Sequence, residues 1–309
     1  MRLVKTYGPP KLMPLGLDLT LTAEEEALRA GLQTFAEGVM EPICKRLDRI
    51  DAGDMVVEKS EWWSLLSAFM ELGIDVDSIY LSDDKIAGNR LKSIAFEELG
   101  CGDSGFATGI MVAFFPYVMA GLLKRPDLME LARGKIGCWV ATQRVRGSDV
   151  GDVDGAILHP GSQHERPELY AEIKDGAVVL NGRSSPWVSF GPVADLALAY
   201  VPLFVNGAAD YREDGTLTAI AVMVPLDRPG ASKGPPLDKL GQRPLPQGSI
   251  VFDNVSVPTD FIVAQPEDYQ GSFTAALIEG NQTLGAVFTG LARLCLEHAL
   301  AYAHERRQG

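Results

Sequence analysis

The run Trp139-Val140-Ala141-Thr142, continuing into Gly147-Ser148-Asp149, and the later run Trp187-Val188-Ser189 decide how this chain is read. Each pairs an indole with a hydroxyl, and the first leads into a Gly-Ser-Asp turn. A flat, polar, redox-active ring needs such a wall, with a broad apolar face and a few donors aimed at its heteroatoms. Singly the signals are weak. A tryptophan near a strand commonly belongs to a core, and Gly-Ser-Asp commonly makes a turn.

Around these runs, residues 134–262 carry strand signals. Tyr170 to Leu180 is broken by Asp175-Gly176, a hairpin signature. Leu196 to Val205 suits a strand, with Pro202 predicting an edge or a bulge. Ala219 to Val224 follows an Asp214-Gly215 turn, and Ile250 to Val257 alternates before Pro258. Residues 155–168 and 206–215 read as long surface loops.

The preceding stretch, 1–133, reads as helical. Thr22 and Glu25 have capping-box spacing, Pro42 predicts a helix exit or kink, Gly73 ends a short helix, and Gly100 reads as a C-cap. From Glu267 the pattern is again helical, punctuated by Gly280, Gly285 and Gly290. Such glycines are kept for close packing or for a nearby ligand. The reading is an α+β multidomain chain. An all-α N-terminal domain spans 1–133 and a central β-barrel or sandwich domain spans 134–262. The first helix of a C-terminal helical bundle spans 263–309, with the rest of that bundle expected to be absent.

A net charge of −13 argues against nucleic acid or an anionic membrane as the main partner. Cys44, Cys101, Cys138 and Cys295 are scattered, which suits a reducing cytoplasm and predicts neither a metal site nor a disulfide framework. His159, His164, His298 and His304 read as solvated side chains. No signal peptide is read at the N-terminus. Ser104 to Leu123 has no charge over twenty residues and meets the length rule for a membrane span. Pro116 and its diluting glycines favour a helix buried inside the protein.

The order of helical block, β-domain and glycine-punctuated helix joins with the motifs to resemble the acyl-CoA dehydrogenases. That family carries Thr-Glu-Pro-x-x-Gly-Ser-Asp after an aromatic, and this chain has Thr142-Gln143-Arg144-Val145-Arg146-Gly147-Ser148-Asp149. The family's Asn-Gly-x-Lys-x-Trp-Ile-Thr is matched by Asn181-Gly182-Arg183-Ser184-Ser185-Pro186-Trp187-Val188-Ser189. Its Gly-x-Arg before a Phe-x-x-Val-x-Val-Pro strand is matched by Gly241-Gln242-Arg243 and Phe252 to Pro258. The resemblance implies FAD as cofactor and an α,β-dehydrogenation of an acyl-CoA thioester, with electrons passed to an acceptor such as an electron-transferring flavoprotein. It implies that Thr142 and the Ala141 backbone bond the pyrimidine edge of FAD and that Trp139 packs beside the ring. Ser189 would donate near flavin N5, Trp187 would cover the ring, and Ser148 would contact the CoA phosphate or pantetheine. Arg306, in the Tyr302 to Gln308 ending, matches an arginine that reaches FAD phosphates of a neighbouring subunit, so a homo- or hetero-oligomer is implied. The Phe-Gly expected after Gln308 is only Gly309 here.

The departures point to a remodelled substrate entrance. Gln143-Arg144 replaces Glu-Pro, Ser185-Pro186 precedes Trp187, and the 155–168 loop looks inserted. Arg146 stands two residues before Ser148, where it serves either a CoA phosphate or solvent. The reaction also needs a carboxylate by the substrate α-carbon. In most of the family it lies in the C-terminal domain. A minority place it where this chain has Gly280, one residue from Glu279, which is the candidate base within the chain. Two alternatives stay open: a non-catalytic FAD- or CoA-binding subunit of a hetero-oligomer, and a related flavin oxidase or monooxygenase.

Overall fold

The computed structural model describes residues 20–144, 147, 167–213, 215 and 217–308. Arg146, Ser148, His159, His164, Asp214 and all but the end of the predicted 155–168 loop lie outside the described residues.

Helix α1 (Ala23–Phe35) starts with both halves of a capping box: Glu25 N donates to Thr22 Oγ1 at 3.2 Å, and Thr22 N donates to Glu25 Oε2 at 2.8 Å. The chain does not leave the helix at Pro42. It passes through a wide π turn, Ala36–Met40, straight into α2 (Glu41–Leu47). Proline lacks one helical donor and its ring crowds the carbonyl of the preceding turn. The widened turn ahead of it makes the room.

After α3 (Ala52–Met55), α4 (Glu61–Glu71) is closed by Gly73 at φ +64°. Then come α5 (Lys85–Gly102), α6 (Ser104–Leu122) and α7 (Pro126–Ala132). Helix α6 packs against the sheet, with its Pro116 ring lying over Gly137. That burial accounts for its uncharged sequence, since 72% of its most apolar stretch is inside the protein. The final helix, α8 (Tyr269–Glu305), is also long and apolar enough to cross a membrane by length and composition, and only 11% of its most apolar stretch is buried. Ile278, Phe288, Leu296 and Tyr302 stand exposed along it.

Gly100 is not a C-cap; α5 runs past it. A Cβ on Gly100 would stand 2.1 Å from the Val287 carbonyl oxygen of α8, and a Cβ on Gly290 would stand 2.0 Å from the Glu97 carbonyl oxygen of α5. The two backbones cross where no side chain fits. Gly285 has nothing within 4 Å of the same position, so this third glycine is not a packing device.

The sheet runs β7 (Ala231–Lys233), β8 (Ile250–Pro258), β3 (Ala177–Arg183), β2 (Tyr170–Lys174), β4 (Leu196–Val205), β6 (Ala219–Pro225), β9 (Ile262–Ala264), with β1 (Gly137–Val140) and β5 (Ala208–Ala209) also on β4. Strands β1 and β2 pair with β4 in parallel, and the other pairings are antiparallel. Asp175 and Gly176, both at positive φ, make the β2–β3 hairpin. Strand β4 is central, not an edge. Pro202 fits there because β1 registers with residues 196–199 and β2 with 203–204, leaving Pro202 in the step between them.

Alternation divides β4 between two cores. Ala197, Ala199, Val201 and Leu203 enter the interior of the sheet assembly, while Leu196, Leu198 and Tyr200 face the helices. Strand β6 splits likewise, with Ile220, Val222 and Val224 inward and Ala221 and Met223 toward the helices.

The glycine pattern of α8 has a measurable consequence. In chemical denaturation, Gly290→Ala should lose about 1–3 kcal/mol through overpacking against α5. Gly285→Ala, in open space, should gain about 0.5–1 kcal/mol. Equal effects of the two changes would contradict the backbone crossing.

Candidate functional site

The same alternation sends Cys138 and Val140 of β1 inward and Trp139 toward the helices, opposite Leu198 in the parallel register. There the indole meets Phe115 of α6 (ring centroids 5.5 Å apart), Phe273 of α8 (5.6 Å) and Tyr200 of β4 (6.1 Å). Its Nε1–H is buried with no hydrogen-bond acceptor among the described residues. Burial pushes the Tyr200 hydroxyl well above its ordinary pKa.

Where β1 ends, Thr142 is tied to the second run. Ser185 N donates to the Thr142 carbonyl at 2.8 Å, and the hydroxyls of Thr142 and Ser185 share a 2.6 Å hydrogen bond. Ser185 Oγ also accepts from Trp187 N at 3.4 Å. Ser184, beside it, exchanges hydrogen bonds with the Ile250 backbone. Ser185 is therefore the clasp between the two motif runs, and Ser184 ties that clasp to β8. Trp187, beyond the clasp, is 60% exposed.

Ser189 is held from both sides. The next residue, Phe190, has φ +57° and ψ +5°, a left-handed conformation costly for a bulky side chain. Packing sustains it. The Phe190 ring is fully buried against Trp62 (5.1 Å between centroids) and fills the space where Gly109 of α6 has no Cβ. Trp62 is fixed in turn by donating its Nε1–H to the Pro244 carbonyl at 2.9 Å. On the other side, Ser189 bridges to Gln247 across antiparallel backbone. Gln247 Nε2 donates to Ser189 Oγ at 3.2 Å and to the Trp187 carbonyl at 3.3 Å. Lys239 Nζ donates to Gln247 Oε1 at 3.0 Å and to the Leu245 carbonyl at 2.5 Å. Burial brings the Lys239 ammonium down to about 8, against the opposing pull of Asp103.

Trp139, Ala141, Thr142, Trp187 and Ser189 line one cavity of about 430 Å³, together with Gly147 and the apolar side chains of Val112, Phe273 and Leu277. That volume lies within the roughly 300–1,000 Å³ of small-molecule sites. The lining combines two hydroxyls, two indoles and aliphatic walls, and no lining residue among the described ones is a carboxylate.

The other candidates lie elsewhere. Glu279 does not line this cavity. It forms an ion pair with Lys92 of α5, whose side chain is 1% exposed and whose ammonium lies 5.1 Å from the centre of the Tyr80 ring. Glu279 is two residues past Leu277, which on a helix turns the side chain by about 200°. Gly280 faces Phe115. Arg306 follows the end of α8, 29 residues beyond Leu277 and so about 43 Å along the helix from the cavity wall. Its guanidinium lies over the Tyr302 ring. Arg146 and Ser148 lie outside the described residues. Gln143 is buried, donating to the Leu169 carbonyl at 2.9 Å and accepting from Leu169 N at 3.0 Å, while Arg144 pairs with Glu168. These two departures thus tie the residues after β1 to those just ahead of β2.

Sequence reading noted Ser185 only as a departure within its motif, and it missed Phe190, Gln247 and Lys239. Gln247 meets Ser189 across 58 residues of chain, a contact with no local signal.

No protein-family model matches the chain. It is 25% identical over 300 residues to a probable acyl-CoA dehydrogenase of Bacillus subtilis (strain 168), covering 94% of this chain and 71% of that protein. It is 27% identical over 293 residues to benzylmalonyl-CoA dehydrogenase of Aromatoleum aromaticum, with the same coverage of each. Among solved structures, a glutaryl-coenzyme A dehydrogenase in complex with glutaryl-CoA superposes with a TM-score of 0.73 at 23% identity, covering 94% of this chain and 69% of that one. Over nearly its whole length, the chain is similar in sequence to acyl-CoA dehydrogenases and shares the fold of solved members of that group.

Proposed function

We propose that the cavity receives the isoalloxazine ring of FAD and that the chain acts in the α,β-dehydrogenation of an acyl-CoA thioester. The observation that carries this reading is the convergence of two distant sequence runs, each with an indole and a hydroxyl, on one cavity. FAD, when bound, supplies the hydride acceptor. Thr142 and the Ala141 backbone bond its pyrimidine edge, and Trp139 packs beside the rings. Trp187, mostly open to solvent, closes over the outer face. Ser189 donates toward the ring nitrogen where hydride arrives. Donors of this kind stabilise the charge that develops on reduction. Arg146 and Ser148 meet the CoA moiety, Arg306 serves the FAD of a neighbouring subunit, and the electrons leave to an electron-transferring flavoprotein. A reducing compartment such as the cytoplasm suits the buried thiols Cys44, Cys101 and Cys138.

That no described lining residue is a carboxylate favours a second reading, in which this chain binds FAD or CoA and a partner subunit completes the chemistry. Loss of activity in the complex on Ser189→Ala supports the first reading, and unchanged activity supports the second.

Two measurements test this account. Titration of the purified chain with FAD should give a bound flavin whose visible absorption bleaches anaerobically on adding an acyl-CoA; a chain that binds no FAD contradicts the proposal. Glu279→Gln should cost about 3–5 kcal/mol of stability, because it strands the buried Lys92 ammonium. Adding Lys92→Met should recover most of that loss. A Glu279→Gln variant of unchanged stability that no longer bleaches would identify Glu279 as the base instead.

A further inference from the structure

A lysine ammonium only donates hydrogen bonds, whereas a glutamine amide has one accepting end and one donating end. Lys239 therefore dictates which way the Gln247 amide lies. Its oxygen must face the ammonium, which stands 3.0 Å away and is itself anchored on the Leu245 carbonyl. The amide NH₂ is then left pointing at Ser189 Oγ and the Trp187 carbonyl, and its two protons match these two acceptors. The backbone keeps the pieces in place: Phe190 N donates to the Pro246 carbonyl at 2.8 Å, Gly248 N to the Val188 carbonyl at 3.2 Å, and Leu237 N to the Gln247 carbonyl at 2.8 Å.

With its oxygen accepting from Gln247, the Ser189 hydroxyl keeps one donor, and Ser189 lines the cavity. We infer that Lys239 and Gln247 are positioning residues that keep the Ser189 proton off the amide and available to the cavity, so that Ser189 acts there as a donor and favours a ligand atom with a lone pair opposite it. This rests on the FAD reading above, in which that atom is an accepting nitrogen of the flavin ring. Polarity passes along the chain from ammonium to amide to hydroxyl, each bond strengthening the next. Neither positioning residue lines the cavity.

Gln247→Glu keeps the shape and reverses the polarity. A carboxylate accepts from Lys239 at one oxygen and from the Ser189 hydroxyl at the other, which draws the serine proton out of the cavity. FAD affinity, the visible spectrum of the bound flavin and its two-electron reduction potential report the change. Gln247→Glu should weaken FAD binding about tenfold and shift spectrum and potential in the same direction as Ser189→Ala. It should have little further effect when combined with Ser189→Ala, because the two act through one hydroxyl. Lys239→Met, which frees the amide to turn, should fall between wild type and Gln247→Glu, and it carries the test should Gln247→Glu fail to fold.

Wild-type affinity, spectrum and potential in Gln247→Glu or in Lys239→Met, alongside an impaired Ser189→Ala, would overturn this inference and leave the FAD reading standing. An effect of Gln247→Glu that persists undiminished in the Ser189→Ala background would also overturn it. A wild-type chain that binds no FAD would instead overturn the functional reading beneath it.

Discussion

Strand β4 is buried on both faces from Leu196 to Phe204, and its neighbour β6 is buried throughout. A strand of this kind needs two apolar partners, one on each side, and reads as a nearly continuous hydrophobic run. Here the partners are the interior of the sheet assembly and the helical block. Burial on the helical side makes α6 apolar around its circumference and forces Trp139 and Tyr200 to meet Phe115 and Phe273 there. The cavity lies at the end of β1, bordered by Val112 of α6 and by Phe273 and Leu277 of α8. Its walls are apolar because both layers already present apolar faces to each other.

Polar groups enter that gap only where the backbone pins them. Thr142 is held by Ser185, and Ser189 is held between the buried Phe190 ring and Gln247. The left-handed conformation of Phe190 is the local cost of turning the chain so that Ser189 borders the cavity while its neighbour fills the core. Gly109 is part of the same arrangement, since any side chain there would collide with the Phe190 ring.

What was legible in the sequence was what is encoded locally. The Thr22–Glu25 cap, the Asp175-Gly176 hairpin and the long C-terminal helix follow from residue types at short spacing, and the structure has all three. The indole–hydroxyl runs were visible because each lies in a few consecutive residues, although nothing in either run says that it meets the other. Proline and glycine misled where tertiary context overrode their usual roles. Pro42 does not end its helix but follows a π turn, Pro202 sits in a step between two partner strands, and Gly100 is a crossing point 187 residues from its contact at Val287. Glu279 looked available as a base because its partner, Lys92, is equally distant in sequence. An ion pair of that kind leaves no periodic trace in either helix.

The central claim is that the wall built by Trp139, Thr142, Trp187 and Ser189 is a seat for a flat redox ring. A crystal structure of the chain grown with FAD tests it most directly. The account predicts the tricyclic ring in this cavity, one edge toward Thr142 and its central nitrogen facing the Ser189 hydroxyl, with the Trp187 indole moved over it. A ring bound elsewhere, or these four side chains turned into unrelated packing with no space between them, would contradict it.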